Sequence, residues 1–319
     1  MLKLIRASLY RYVHNRLLYV LFALLAVSSV LFALYIRERC ALNFYIFIFQ
    51  NVVLSVLISL TVSGEICGCA KNKIICGKSR SKLFFSELIS AYTVVSVCFA
   101  VSGVFLAALN AGFVGRTPVS LALKVIMGFY LITLSSCSVF VFFSAVGGRK
   151  VVSVVLCVIF VFSSALAKGL FEDRLRQPEY NVYYTGSWRE TETDENGGVY
   201  ERDPEKDDVT EIKQKNPEYL SSPFREFVIC LNRTNPFYDI DQYQSILEPY
   251  IYSDEKIKEL AENYHTDAWY YAESYQRRFV REETDEENGF LMTAPLYSLA
   301  VTALSVAAGA LIFRKKKFN

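Results

Sequence analysis

Apolar residues dominate six stretches of the chain, Leu17 to Ile36, Phe44 to Val62, Phe84 to Leu109, Leu121 to Val146, Val151 to Leu170 and Ala294 to Phe313, and polar residues gather between them. A helix rises 1.5 Å per residue, so about 20 mainly apolar residues cross roughly 30 Å of hydrocarbon. Each stretch meets that length. The pattern predicts an all-α polytopic membrane protein with six transmembrane helices. Five spans fill residues 17–170 with a polar loop at 63–83, a large polar block occupies 171–291, and the sixth span with a basic tail closes the chain at 292–319.

Inside the polar block the periodicity changes twice. Tyr180, Val182 and Tyr184 alternate as in a strand, and Asn196-Gly197-Gly198 could turn the chain back as a hairpin. From Ser253, Ile257, Leu260, Ala261, Tyr264, Ala268, Tyr271, Ala272, Tyr275 and Phe279 recur in steps of three and four, which predicts a helix to about Arg281. Asn288-Gly289 is expected to break the chain before the sixth span. The block is therefore read as α+β or mostly helical.

Charge orders these elements across the membrane. Residues 171–291 hold 29 Asp and Glu against 14 Lys and Arg, while the rest holds 3 acidic and 20 basic residues, so the formal net charge of +2 hides two opposed halves. Loops retained in the cytoplasm keep Lys and Arg, and long translocated domains do not follow that rule. Basic residues before the first span, in the second and fourth connections and after the sixth fall on one side of a six-span chain. Both termini are thus expected in the cytoplasm, with the acidic block outside. The basic excess is topology, not a nucleic-acid surface. The long first apolar run, with no small-residue cleavage site after it, argues against a cleaved signal peptide. Cys98, Cys137 and Cys157 fall within spans. Cys40 and Cys230 would face outside, either as free thiols or as a bridge.

Few residues offer chemistry. Gly77-Lys78-Ser79 looks like the end of a phosphate-binding loop, but the Gly required five positions earlier is Asn72, and no strand leads into it. The two histidines, His14 and His265, lie outside the spans, so neither an intramembrane zinc protease nor a His-dependent serine protease can be assembled. Cys67, Cys69 and Cys76 lack a His neighbour and read as cytosolic thiols. No span carries an ionisable residue near its centre, which disfavours proton- or sodium-driven transport; Glu87, Lys124 and Lys168 lie near span ends, where long side chains snorkel. Gln50 and Asn51 are the strongly polar pair within a span, read either as interhelical hydrogen bonding or as pathway lining. No catalytic residue, metal site or cofactor is expected.

The stretch from Glu65 to Phe85, EICGCAKNKIICGKSRSKLFF, resembles the cytosolic loop of permease subunits in bacterial ATP-binding-cassette (ABC) exporters of the type-two class. Glu65, Gly68, Lys71, Asn72, Gly77, Ser79, Arg80 and Lys82 match the family pattern, and Cys69 departs from it where Thr is usual. The basic amphipathic residues 1–16 look like that family's interfacial helix on the inner leaflet. The resemblance implies a plasma-membrane permease in which Glu65, Gly68, Lys71, Asn72, Gly77, Arg80 and Lys82 form a loop coupling to a separate ATPase subunit. It also implies pairing with a second copy or a paralogue. Glu65 is expected to pair with Lys71 or Arg80 as an exposed ion pair costing below about 1 kcal/mol to break. A reading from another class stays open: a membrane-anchored binding or immunity protein whose acidic block captures a cationic peptide.

Overall fold

The computed structural model describes residues 1–16, 18–20, 22–24, 26–27, 30, 44–68, 70–109, 117–185, 190–193, 199–202, 210–247 and 285–315. Among them the chain is mostly helical. In order come α1 (Leu2–Val13), α2 (Phe44–Gly68), α3 (Ala70–Ile75), α4 (Arg80–Leu109), α5 (Val119–Gly147), α6 (Lys150–Arg176), strands β1 (Tyr180–Thr185), β2 (Glu190–Thr193), β3 (Val199–Arg202) and β4 (Thr210–Lys215), then α7 (Ser222–Arg233), α8 (Pro236–Leu247) and α9 (Asp285–Lys315). They divide into two compact units, residues 1–168 with 232–319, and residues 169–231.

Four helices are long and apolar enough to cross a membrane: Arg80–Val104 of α4, Val119–Gly147 of α5, Lys150–Leu175 of α6 and Gly289–Lys315 of α9. They coincide with the third to sixth expected spans. The second expected span is the helix α2, whose described apolar part runs Gln50–Ile66. The described residues between Arg16 and Val30 are helical, and the remainder of the first expected span lies outside the described residues. What faces outward supports a lipid environment. On α6, Val151, Val155, Ile159, Phe162, Leu166 and Leu170 are 48–74% exposed in steps of three and four. This continuous stripe rises about 28 Å at helical pitch, close to the hydrocarbon thickness. An apolar face of that size in water would be costly.

In the first unit, two cores hold the helices. Tyr12, Ile58, Val62, Val95, Phe140 and Val141 anchor the larger one. The second joins Leu121, Val125 and Ile132 of α5, Tyr243 and Ile246 of α8, and Phe290 and Leu291 of α9. That second core explains a correction. α9 begins at Asp285 and runs through Asn288-Gly289, where a break was expected. A Gly costs only about 1 kcal/mol within a helix, and burying Phe290 and Leu291 outweighs it.

In the second unit, β1 pairs antiparallel with β4, Tyr180 opposite Lys215, and β2 pairs with β3, Thr193 opposite Val199. β2 and β3 thus flank the expected Asn196-Gly197-Gly198 turn, which itself lies outside the described residues. β1 finds its partner thirty residues on, in a strand the alternation did not reveal. Arg225 of α7 donates to the Leu175 carbonyl at 2.6 Å and lies over the Tyr219 ring, and buried Asn216 donates to Gln177 and to the Pro178 carbonyl. Of the two expectations for the acidic block, its described residues fit α+β. The helix expected over 253–281 lies outside the described residues.

Candidate functional site: a charge hub joining four helices

The loop at 63–83 folds into a stop and a start. α3 ends in paired bonds from the Gly77 amide to the Ile74 carbonyl at 2.9 Å and from the Lys78 amide to the Lys73 carbonyl at 3.0 Å. Gly77 has φ +79°, the left-handed conformation such a cap requires and a Cβ disfavours. Two residues later Ser79 caps α4, its hydroxyl accepting from the Lys82 amide at 3.4 Å. Gly77-Lys78-Ser79 is therefore a helix terminator followed by a helix initiator, and its likeness to a phosphate loop is accounted for by capping.

Glu65 lies on the last turns of α2 and is only 4% exposed. Its carboxylate forms ion pairs with Arg11 of α1 and Lys73 of α3. Arg80, one of the two expected partners, is not among these, and the Glu65 carboxylate is buried rather than exposed. Arg80 instead donates to the Arg314 carbonyl at 2.8 Å, a cation placed on the unsatisfied end of α9. The side chain of Lys71 lies outside the described residues. Asn72 and Lys82 are exposed, Gly68 is the last residue of α2, and in the same helix Asn51 is buried and Gln50 half-buried.

The second carboxylate does not snorkel as its place near a span end predicts. Glu87 of α4 is 4% exposed, accepts from the Ser8 hydroxyl at 2.5 Å and pairs with Arg11 at 3.3 Å. Ser8 and Arg11 stand one helical turn apart on α1, and Arg11 also donates to the Ser8 hydroxyl at 3.0 Å and to the Ala7 carbonyl at 3.2 Å. The Arg11 guanidinium thus spans two buried carboxylates from two different helices, a use to which its planar fork of donors is suited. Beside it the Tyr12 phenol is fully buried; burial pushes its pKa well up, and the Glu87 carboxylate adds to the rise.

Ser8, Arg11, Lys73 and Glu87 therefore complete the site around Glu65, a grouping the sequence did not reveal. A signal was present: Glu38, Glu65 and Glu87 are the only acidic residues outside the acidic block. A carboxylate beside an apolar span needs a cation, and the basic amino-terminal helix supplies one. One guanidinium and one ammonium tie α1, α2, α3 and α4 together. Among the described residues no His, Cys, Asp and Glu group could hold a metal ion, and the side chains of Cys67 and Cys69 lie outside the described residues. Searches for similar proteins matched no family model, no curated protein and no solved structure.

Proposed function

We propose that this chain is the membrane-spanning permease subunit of an ABC transporter, an exporter of an antimicrobial peptide, drug or lipid-like substrate driven by a separate ATPase subunit. In this reading six helices cross the plasma membrane, both termini are cytoplasmic, residues 171–291 are extracytoplasmic, and the chain pairs with a second copy or a paralogue. The observation that carries it is the hub. A short helix in the loop resembling the coupling loop, α3, is ion-paired through Lys73 to a carboxylate on α2, which shares Arg11 with a carboxylate on α4. Closure of an ATPase groove on α3 would be passed to two spans at once, and a small tilt of both alternates access.

The test is co-expression with an ABC ATPase and measurement of ATP hydrolysis with and without substrate. The chain alone should hydrolyse no ATP. Lys73→Gln, which leaves the Arg11 bridge in place, should insert and purify normally yet lower the stimulated hydrolysis of the assembled transporter several-fold. Stimulated hydrolysis equal to the parent's would remove α3 from the coupling path. The acidic excess of residues 171–291 favours one other reading, a binding or immunity protein that captures a cationic peptide. That reading predicts peptide binding undiminished when no ATPase is present.

A further inference from the structure

The helix α1 presents three different faces. At 3.6 residues per turn, Leu4, Ser8 and Tyr12 point inward, and Ser8 and Tyr12 are fully buried. Next around the helix come Leu2, Ile5, Leu9 and Val13, an apolar groove in which Leu2 is 83% and Val13 49% exposed. The third face is a concavity lined by Lys3, Ala7 and Arg11 with Lys73 of α3. Arg6 and Tyr10 fall on the boundary and line both. The hub already commits Arg11 and Lys73 to Glu65 and Glu87, so four cations face two buried carboxylates. Among the described residues neither Lys3 nor Arg6 makes an ion pair. The concavity is left with a positive excess, two of its cations held in place by buried acids, directly beside an exposed apolar groove.

We propose that this pair of surfaces binds one anionic phospholipid of the leaflet in which α1 lies, its phosphate held by Lys3, Arg6 and Arg11 and the top of an acyl chain lying along Leu2, Leu9 and Val13. The proposal rests on the chain being a membrane protein, not on its being a permease. Arginine and lysine beside a phosphate form charge-assisted hydrogen bonds. Each basic residue near an anionic bilayer contributes on the order of 1 kcal/mol. Tyr10, half apolar and half polar, stands where chain meets headgroup, as aromatic residues do at membrane interfaces. Because Arg11 belongs to both the lipid site and the hub, an anionic lipid stiffens the junction of α1, α2 and α4. An acidic partner protein would meet the same cations but has no use for the groove on the other side of Arg6.

The test uses the full chain in a neutral detergent, with thermal unfolding followed on addition of short-chain phosphatidylglycerol, phosphatidylcholine of the same chain length, inorganic phosphate or oligoglutamate. Phosphatidylglycerol should raise the apparent melting temperature by about 2–5 °C over phosphatidylcholine. Lys3→Gln with Arg6→Gln should at least halve that difference, while Lys315→Gln should leave it intact. As a measurement on the unaltered chain, the preference should vanish near about 0.5 M salt. Equal stabilisation by phosphatidylcholine, or a preference that survives high salt, overturns the proposal. So does a full effect from inorganic phosphate alone, which would mark a phosphate site, or from oligoglutamate in place of lipid, which would mark a protein-docking face. A loss on Lys315→Gln equal to that of the double variant would show a diffuse charge effect and overturn it as well.

Discussion

Arg11 is the residue on which the junction of α1, α2 and α4 turns, because removing it leaves two carboxylates buried with too little positive charge. Breaking a buried pair by deleting one partner costs about 3–5 kcal/mol, several times the cost of an exposed pair. Arg11→Ala should therefore lower stability in detergent by about that amount, and Arg11→Lys should recover only part of it, since an ammonium cannot fork to both acids. Glu65→Gln added to Arg11→Ala should cost much less than the two changes separately, because it removes one of the stranded charges. Strictly additive losses in thermal unfolding would show that the two side chains are not coupled. A different carboxyl behaves in the opposite sense. Asp239 of α8 is 2% exposed, one of its oxygens has no partner, and burial pushes its pKa up to about 8 despite the nearby Arg233. Since the folded chain holds that proton more tightly than the unfolded one, stability should fall as pH rises from about 4 to about 8. Asp239→Asn should flatten that slope and raise stability at the alkaline end; an unchanged slope assigns the pH dependence to other groups.

At the scale of elements, the sequence made spans legible and their partners illegible. The third to sixth apolar stretches are read correctly because an apolar run of that length has one favourable environment, and the α2 helix covers the second. Which residues meet was not legible: β1 pairs with β4 and not with its sequence neighbour, and Glu65 meets a residue fifty-four positions away, because long-range pairing leaves no local period. The same limit hid the contact between α8 and α5. Tyr243 is fully buried, its ring packs against Phe129 and Phe290 at centroid distances of 5.4 and 5.0 Å, and a Cβ added at Gly128 would overlap it. Gly128 thus leaves room for the hydroxyl end of a tyrosine ring on the neighbouring helix, a role its position within an apolar stretch does not announce. Gly128→Ala should destabilise the chain by about 1–3 kcal/mol through overpacking. Shortening the other side in Gly128→Ala with Tyr243→Leu should restore part of the loss. If the double variant is no better than Tyr243→Leu combined additively with Gly128→Ala, the two helices do not meet there.

For the whole molecule, the proposed six-span topology makes one orientation testable from the division of charge and the hub. The hub holds Arg11 and Lys73, the exposed Lys3 and Arg6 line a concavity with them, and the exposed Lys82 lies in the first turn of α4, while the block rich in Asp and Glu begins in the last turns of α6. An odd number of crossings from α4 to α6 separates those ends if α4, α5 and α6 each cross once, so the exposed Cys76 beside the hub and the exposed Cys230 of α7 belong on opposite sides. In the proposed topology, retention of positive charge would put the hub inside. In single-cysteine variants of intact cells, an impermeant thiol reagent should label Cys230 and a Cys placed at exposed Gln214 on β4, and should label Cys76 only after the membrane is opened. The opposite pattern would reverse the orientation and move the acidic block to the cytoplasm. Labelling of both sites from outside would mean that one of α4, α5 and α6 does not cross, which overturns the six-span architecture and the permease reading with it.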